Sequence, residues 1–312
     1  MEIVHDTDTP CTGIPIPVST FTLLGEIMKS KSFEGFMKGV FLAASTTSII
    51  AILLIIYFIF SGGLPFIMKY GPLNFLLGTE WKPDNTPASF GILPMILGST
   101  VITIGAVLLG VPVGILTATY LAKFSDTRLY RFLKPLVNLM AGIPSIIYGF
   151  FALQVIVPFM KDWVGGTGMN IMTASILLGV MILPTIIGLS ESSIRSVPKE
   201  YYEGSVALGA THERSVMSVV LPSARSGILS SIILGIGRAI GETMAVILVA
   251  GNQTRIPSSL TQGVRTMTTN IVMDMSYAAG EHREALIATA VVLFVFILII
   301  NGLFMVVKRK VY

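Results

Sequence analysis

Five stretches of this chain run without one charged residue: 39 to 68, 85 to 122, 135 to 160, 163 to 190 and 285 to 307. Each exceeds the roughly 20 apolar residues that a helix needs to cross about 30 Å of hydrocarbon. Backbone inside hydrocarbon must satisfy its own hydrogen bonds, which leaves helices or closed barrels. Long continuous runs, rather than ten-residue alternating segments, select helices. A sixth span is expected between Pro222 and Gly251, where the apolar run is interrupted by Arg225 near its start and by Arg238 and Glu242 inside. The composition agrees, with 53% hydrophobic and 12% charged residues and a mean hydropathy of +0.81. The expected fold is all-α, a polytopic membrane protein of six transmembrane helices.

The formal net charge of +4 is explained by where the basic residues fall. With the N-terminus inside, six spans place fourteen Lys and Arg on the cytoplasmic side, six outside (Lys69, Lys82, Lys161, Arg255, Arg265, Arg283) and Arg238 within the bilayer. This positive-inside bias puts both termini in the cytoplasm and needs no nucleic-acid partner. The single cysteine, Cys11, excludes an intrachain disulfide framework. The first residues are acidic where a cleavable signal would be basic. His5, His212 and His282 are separated and outside the spans, and there is no His-Glu-x-x-His, so no metal site, cofactor or nucleophilic centre is expected.

Residues 1–20 carry Pro10, Pro15 and Pro17 and read as a cytoplasmic tail. Residues 21–37 mix apolar and charged side chains, compatible with an interfacial helix or with a lead-in to the first span. A transmembrane domain is expected over 39–310, with spans near 40–60, 95–122, 136–160, 171–190, 222–251 and 285–307. The first span is expected to end at Ser61-Gly62-Gly63. Beyond it, residues 62–94 form an external segment with Pro65, Pro72, Pro83 and Pro87 ahead of Pro94, which reads either as an ordered cap or as a loop anchored by Trp81 at headgroup depth. Asn138 and Gln154 read as hydrogen-bond partners between helices. Pro94 and Pro222 are expected in first helical turns, where a missing N–H costs nothing.

Residues 191–221 form the longest cytoplasmic loop. Two short helices fit, about 199–208 and 212–220, separated by Gly209. Four carboxylates, Glu191, Glu200, Glu203 and Glu213, stand where Lys and Arg usually dominate, which suits docking on a protein rather than on anionic lipid. Farther on, Arg238 lies 16 residues beyond Pro222, roughly 24 Å along a helix at 1.5 Å per residue. Each charge placed in a membrane helix costs about 2.5–3.5 kcal/mol. On one continuous helix Arg238 and Glu242 share a face. Two readings follow: a static ion pair that locks the bundle, or a guanidinium that meets an oxyanion and is held by Glu242 between transport events. Glu242 would favour an anion that keeps a proton to donate, as phosphate does and sulfate does not.

Glu203, Gly209, Val219, Leu221 and Pro222 match the spacing of the ABC-importer permease loop, with Gly204 and Ser205 in place of its two alanines. Phe90-Gly-Ile-Leu-Pro94, Pro144-Ser-Ile-Ile-Tyr148-Gly149 and Gly237-Arg-Ala-Ile-Gly-Glu242-Thr-Met-Ala-Val246 extend the likeness over nearly the whole chain. The sequence resembles the phosphate-specific ABC importer permeases, with Tyr148-Gly149 and Thr243-Met244 closer to the PstC type than to the PstA type. The resemblance implies a type I ABC importer permease (MetI-like) fold in a prokaryotic inner or plasma membrane. It implies an ATPase-coupling loop carrying Glu203, Gly204, Ser205, Gly209, Val219, Leu221 and Pro222, and a substrate path carrying Arg238, Glu242 and Thr243. The implied partners are a second homologous permease (PstA type), two cytoplasmic ATPase subunits (PstB type) and an extracytoplasmic phosphate-binding protein (PstS type). No Gly-Lys pair occurs anywhere in the chain, so it has no phosphate-binding Walker loop of its own. Sulfate and molybdate permeases share an Arg-Ala-x-Gly-Glu pattern. Another oxyanion, phosphonate included, or proton-coupled carriage through Glu242 therefore stand as alternatives to ATP-driven phosphate import.

Overall fold

The computed structural model describes residues 31–310. The tail expected over 1–20, and residues 21–30 of the expected interfacial helix, lie outside them. Contacts divide the chain into two units, Met1–Phe58 and Ile59–Tyr312. Among the described residues six helices are long and apolar enough to cross a membrane.

In the first unit helix α1 (Lys31–Tyr70) begins. Its apolar side chains, Phe41, Leu42, Ile52 and Leu53 among them, are exposed. The hydroxyls of Ser45, Thr46, Thr47 and Ser48 each turn back to the carbonyl four residues earlier, at 2.7 to 3.0 Å. Polar side chains that satisfy themselves locally suit a surface bathed in lipid.

The second unit takes in the rest of α1, which runs on to Tyr70 through Pro65 instead of ending at the glycine pair. The reason is steric. A Cβ at Gly63 would lie 2.9 Å from the Ala288 backbone, so the glycine permits close approach to helix α13 (Gly280–Lys310) and does not stop α1. Next come α2 (Pro72–Leu77) and two short strands, β1 (Trp81–Lys82) and β2 (Ser89–Phe90), paired antiparallel with Trp81 opposite Phe90. This hairpin and an isolated bridge between Gly251 and Val264 are the departures from an all-α chain among the described residues. Trp81 is not at the surface: it is buried, with ring contacts to Phe90 at 5.8 Å and His282 at 5.9 Å. Phe66, Phe75, Ile92, Met95 and Leu286 complete this core. The segment is thus an ordered cap stitched by aromatic packing.

Helix α3 (Leu93–Thr119) starts with Pro94 in its first turn, as expected, and leaves through a π turn, Tyr120–Phe124. The stretch expected as one span over 136–160 is broken. An amphipathic helix α4 (Thr127–Gly142), capped by Asp126, is followed by Ile143-Pro144, then α5 (Ser145–Phe151), a π turn (Ala152–Ile156) and α6 (Val157–Val164). Pro144 has no N–H to give to the Met140 carbonyl four residues back. The Tyr148 hydroxyl donates to that carbonyl instead, at 2.8 Å. Leu136 therefore belongs to α4, and the membrane-length helix begins only at Ser145. Asn138 and Gln154 are exposed and bond no other helix among the described residues, contrary to expectation.

Helix α7 (Ile171–Arg195), capped by Asn170, is the centre of the unit. It packs on α3 through small residues; a Cβ at Gly110 would stand 2.8 Å from the Gly179 carbonyl oxygen. It packs on α10 (Leu221–Gly241) through a buried Ser190–Ser231 hydroxyl pair at 2.7 Å. Between them lie α8 (Lys199–Ala207) and α9 (His212–Ser215). After α10 come α11 (Met244–Val249), α12 (Met267–Asp274) and α13.

Candidate functional site

Helix α7 takes in the first five residues of the loop expected over 191–221, and beyond it α8 and α9 stand on either side of Gly209. Helix α8 ends in a Schellman motif: the Gly209 N–H donates to Val206 O and the Ala210 N–H to Ser205 O, with Gly209 at φ +86. A residue with a Cβ resists that conformation, which is the physical basis of the glycine in the spacing. The Ser205 hydroxyl donates to buried Ser215 at 2.9 Å and so ties α8 to α9. His212 accepts from or donates to the Tyr202 hydroxyl at 2.8 Å through Nδ1, and its Nε2 meets the Lys123 carbonyl at 3.1 Å. The elbow is therefore fastened to the end of α3. At its tip Leu208 is 92% exposed, with Val206 and Tyr201 also exposed and Glu200, Glu203 and Glu213 beside them. Leu208 was missed from sequence, since one leucine in a mixed loop carries no signal of its orientation.

The second short helix is not separate. From His212 the chain passes through a π turn, Val216–Val220, straight into α10. Pro222 lies in the first turn of α10, as expected, although a π turn joins that turn to the helical stretch from His212. Val219 and Leu221 are half-buried and Pro222 is exposed. Any force on the elbow is delivered directly to the helix that carries Arg238.

Glu191 does not join the exposed carboxylates. Only 3% of it is exposed, and its oxygens meet Lys134 Nζ at 2.6 Å, the Tyr130 hydroxyl at 3.2 Å and Arg195 Nε. Arg195 also donates to the Leu121 carbonyl at 2.7 Å and stacks 4.3 Å from the Tyr130 ring centre. This cluster clamps α3, α4 and α7 together. A second cluster sits at α12, where Arg265 bonds Asp274 at 3.2 Å and Asn270 at 3.0 Å. There the Tyr277 hydroxyl donates to Asp274 at 2.7 Å, which raises its pKa above the usual tyrosine value.

Arg238 and Glu242 do not share a helical face. Helix α10 ends at Gly241, and Glu242 is extended, at φ −70 and ψ 133. Its side chain turns forward to accept from the Ala245 N–H at 3.1 Å, and its carbonyl accepts from the Thr268 hydroxyl at 3.0 Å. A carboxylate at the start of α11 is favoured by the unpaired N–H groups and the positive end of the dipole. Thr243 is held in the break, its hydroxyl 3.3 Å from the Gly241 carbonyl. The expected ion pair is absent from the described residues: the guanidinium of Arg238 makes one hydrogen bond, to Thr185 Oγ1 at 3.2 Å.

That contact sets the chemistry. One hydrogen bond to a charged group contributes about 1.5–3 kcal/mol, comparable to the insertion cost of an arginine, and most of its five N–H donors stay unspent. Arg238 opens into an open-sided cavity of about 540 Å³ between α7, α10 and α13, whose walls are the polar Thr185, Ser230 and Asn301 and the apolar Ile233, Leu234 and Met305. A Cβ at Gly237 would meet nothing within 4 Å, so space persists beside the cation. Half-buried, singly bonded and open to a cavity, Arg238 is equipped to receive an anion. The described residues hold no cluster of His, Cys, Asp and Glu able to bind a metal.

Comparison with known proteins bears on these features together. Residues 110–311 match the family described as the binding-protein-dependent transport system inner membrane component. The chain is 33% identical over 305 residues to the phosphate transport system permease protein PstC of Xylella fastidiosa (strain 9a5c), covering 91% of this chain and 93% of that protein. It is 38% identical over 207 residues to a probable ABC transporter permease protein, YqgH, of Bacillus subtilis (strain 168), covering 66% of this chain and 67% of that one. Among solved structures, a bacterial alginate ABC transporter in complex with an alginate pentasaccharide-bound periplasmic protein superposes with a TM-score of 0.63. It shares 17% identity and covers 90% of this chain and 98% of its own. The MetNI methionine ABC transporter in an inward-facing form gives 0.53 at 23% identity, over 71% of this chain and 94% of its own.

Proposed function

The chain belongs to the family of binding-protein-dependent transport system inner membrane components and is a multi-pass ABC importer permease of MetI-like fold, and from that premise we propose that its cargo is inorganic phosphate. The observation that carries the reading is Arg238: a cation set in a membrane-length helix, with one hydroxyl partner and no carboxylate, facing a cavity. An anion is the missing counter-charge. Several relatives of similar length whose names specify phosphate transport narrow the class.

Energy enters at the other end of the same helical stretch. The chain has no Walker loop, while its elbow presents Leu208, Val206 and Tyr201 with three carboxylates to a protein partner. In this proposal two ATPase subunits of PstB type dock there, a second permease of PstA type supplies the other half of the path, and a phosphate-binding protein of PstS type delivers cargo. The positive-inside bias places the elbow and both termini in the cytoplasm. ATP binding draws the paired elbows together, and the π turn passes that movement into α10. Glu203, Gly204, Ser205, Gly209, Val219, Leu221 and Pro222 are the coupling residues, and Arg238, Glu242 and Thr243 lie on the path.

The test is uptake by the purified complex in proteoliposomes, loaded with ATP and supplied with binding protein and labelled phosphate. Phosphate accumulation that needs both ATP and the ATPase subunits is expected. Saturable phosphate flux through the permeases alone, or accumulation that follows a proton gradient, refutes ATP coupling. Preferential accumulation of sulfate or molybdate would reassign the cargo.

A further inference from the structure

The cavity beside Arg238 contains a group that the transport reading has not used. Asn301 is the single amide in the charge-free run 285–307, and it lines the cavity with Arg238, Thr185 and Ser230. Asn301 is half-buried, and among the described residues its side chain has no hydrogen-bond partner. An amide at membrane depth normally finds one on a neighbouring helix. Thr185 accepts from Arg238, which leaves its own O–H to donate elsewhere. Ser230 is engaged with the Ser226 carbonyl at 2.8 Å.

These groups differ in what they offer. Arg238 can only donate; Thr185, with its oxygen taken by Arg238, has a donor to give; Asn301 has both an NH2 and a carbonyl oxygen. An oxyanion without a proton has only acceptors to present, so it can use the Asn301 NH2 but leaves the Asn301 oxygen unpaired. An oxyanion that keeps a P–O–H proton donates to that oxygen and accepts from the rest. Glu242 cannot serve this role in the described geometry. It does not line the cavity, and one of its carboxylate oxygens accepts from the Ala245 N–H at the start of α11.

We propose that the cavity between α7, α10 and α13 is a hydrogen-bonding station for a proton-bearing tetrahedral oxyanion, in which Asn301 and Thr185 determine specificity beside Arg238. The inference rests on the phosphate reading and deepens it, moving selection of the protonated anion from Glu242 to Asn301. A site built to bond a hydroxyl rejects the analogue that lacks it, because its own polar group is then left unpaired.

The experiment measures ATP-driven phosphate uptake by the complete importer at saturating loaded binding protein, across pH, for wild type, Asn301→Leu, Asn301→Asp and Thr185→Val. Copurification of all subunits is the assembly check. Asn301→Leu is expected to lower turnover about tenfold and Thr185→Val about three- to fivefold, the range of a lost hydrogen bond. Asn301→Asp keeps an acceptor but adds negative charge, so it should retain more activity than the leucine and shift its optimum to lower pH, where the anion gains a second proton. A residue that merely packs the helices would not move the pH profile. Should Asn301→Leu fail to copurify, the near-isosteric Thr185→Val and the aspartate variant decide. Turnover within twofold of wild type and an unshifted profile, in a complex whose wild type moves phosphate, overturn this proposal alone. A wild type that moves no phosphate overturns the cargo reading and this one with it.

Discussion

Glu191 and Arg238 are both ionic groups set into membrane-length helices, and the chain treats them in opposite ways. The Glu191 carboxylate is enclosed by Lys134, Arg195 and Tyr130, so its capacity to accept hydrogen bonds is spent within the protein. Arg238 has one partner, Thr185, and a cavity in front of its remaining donors. Saturation marks a clamp, because any ligand would have to displace bonds already made. Spare capacity beside open space marks a site. Burial alone does not separate the two, and neither does charge.

The comparison can be broken by substitution. The largest effect is expected at Arg238: Arg238→Met should lower phosphate uptake about 10²–10³-fold, the usual cost of removing a preorganised charge from a reaction or transfer path, while the subunits still copurify. Loss of assembly instead of transport would place Arg238 with the clamps. Glu191→Gln should do the reverse. It leaves Lys134 and Arg195 facing a neutral amide and should destabilise the permease by about 2–3 kcal/mol. That is less than the 3–5 kcal/mol of a fully buried pair because Arg195 stays 43% exposed. Thermal unfolding of the purified complex measures it, and per-complex uptake in the surviving fraction should change much less than for Arg238→Met. Equal loss of specific uptake in both variants would erase the distinction.

Local signals made a good part of the molecule legible in sequence. Charge-free length located five of the six spans, the third only in part, and Gly209 located the elbow, because a left-handed helix terminus wants a residue without a Cβ. The break before Ser145 was written in Pro144, yet the run 135–160 is charge-free throughout and hydropathy bridges the break. The end of α10 was harder. Gly237 and Gly241 were visible, but four-residue spacing suggests a shared face only if the helix continues, and it stops at Gly241 so that Glu242 can cap α11. What stayed hidden was long-range. Lys134 lies 57 residues from Glu191 and Thr185 lies 53 from Arg238, and no periodicity relates them. Trp81 read as a headgroup anchor for the same reason, since its partners Phe90 and His282 meet it only through the folded cap. Asn301 left a readable mark, a lone amide in an apolar run, which its neighbours in sequence could not interpret.

The central claim is that Arg238 serves an anion and not a carboxylate of its own chain, and the most direct measurement is ATP-driven phosphate uptake by the reconstituted importer carrying Arg238→Leu alone and Arg238→Leu with Glu242→Leu. With no ion pair to rebalance, the neutral double variant should stay as inactive as the single one. Recovery of uptake in the double variant would mean that the arginine had only been neutralising Glu242, and would contradict the account.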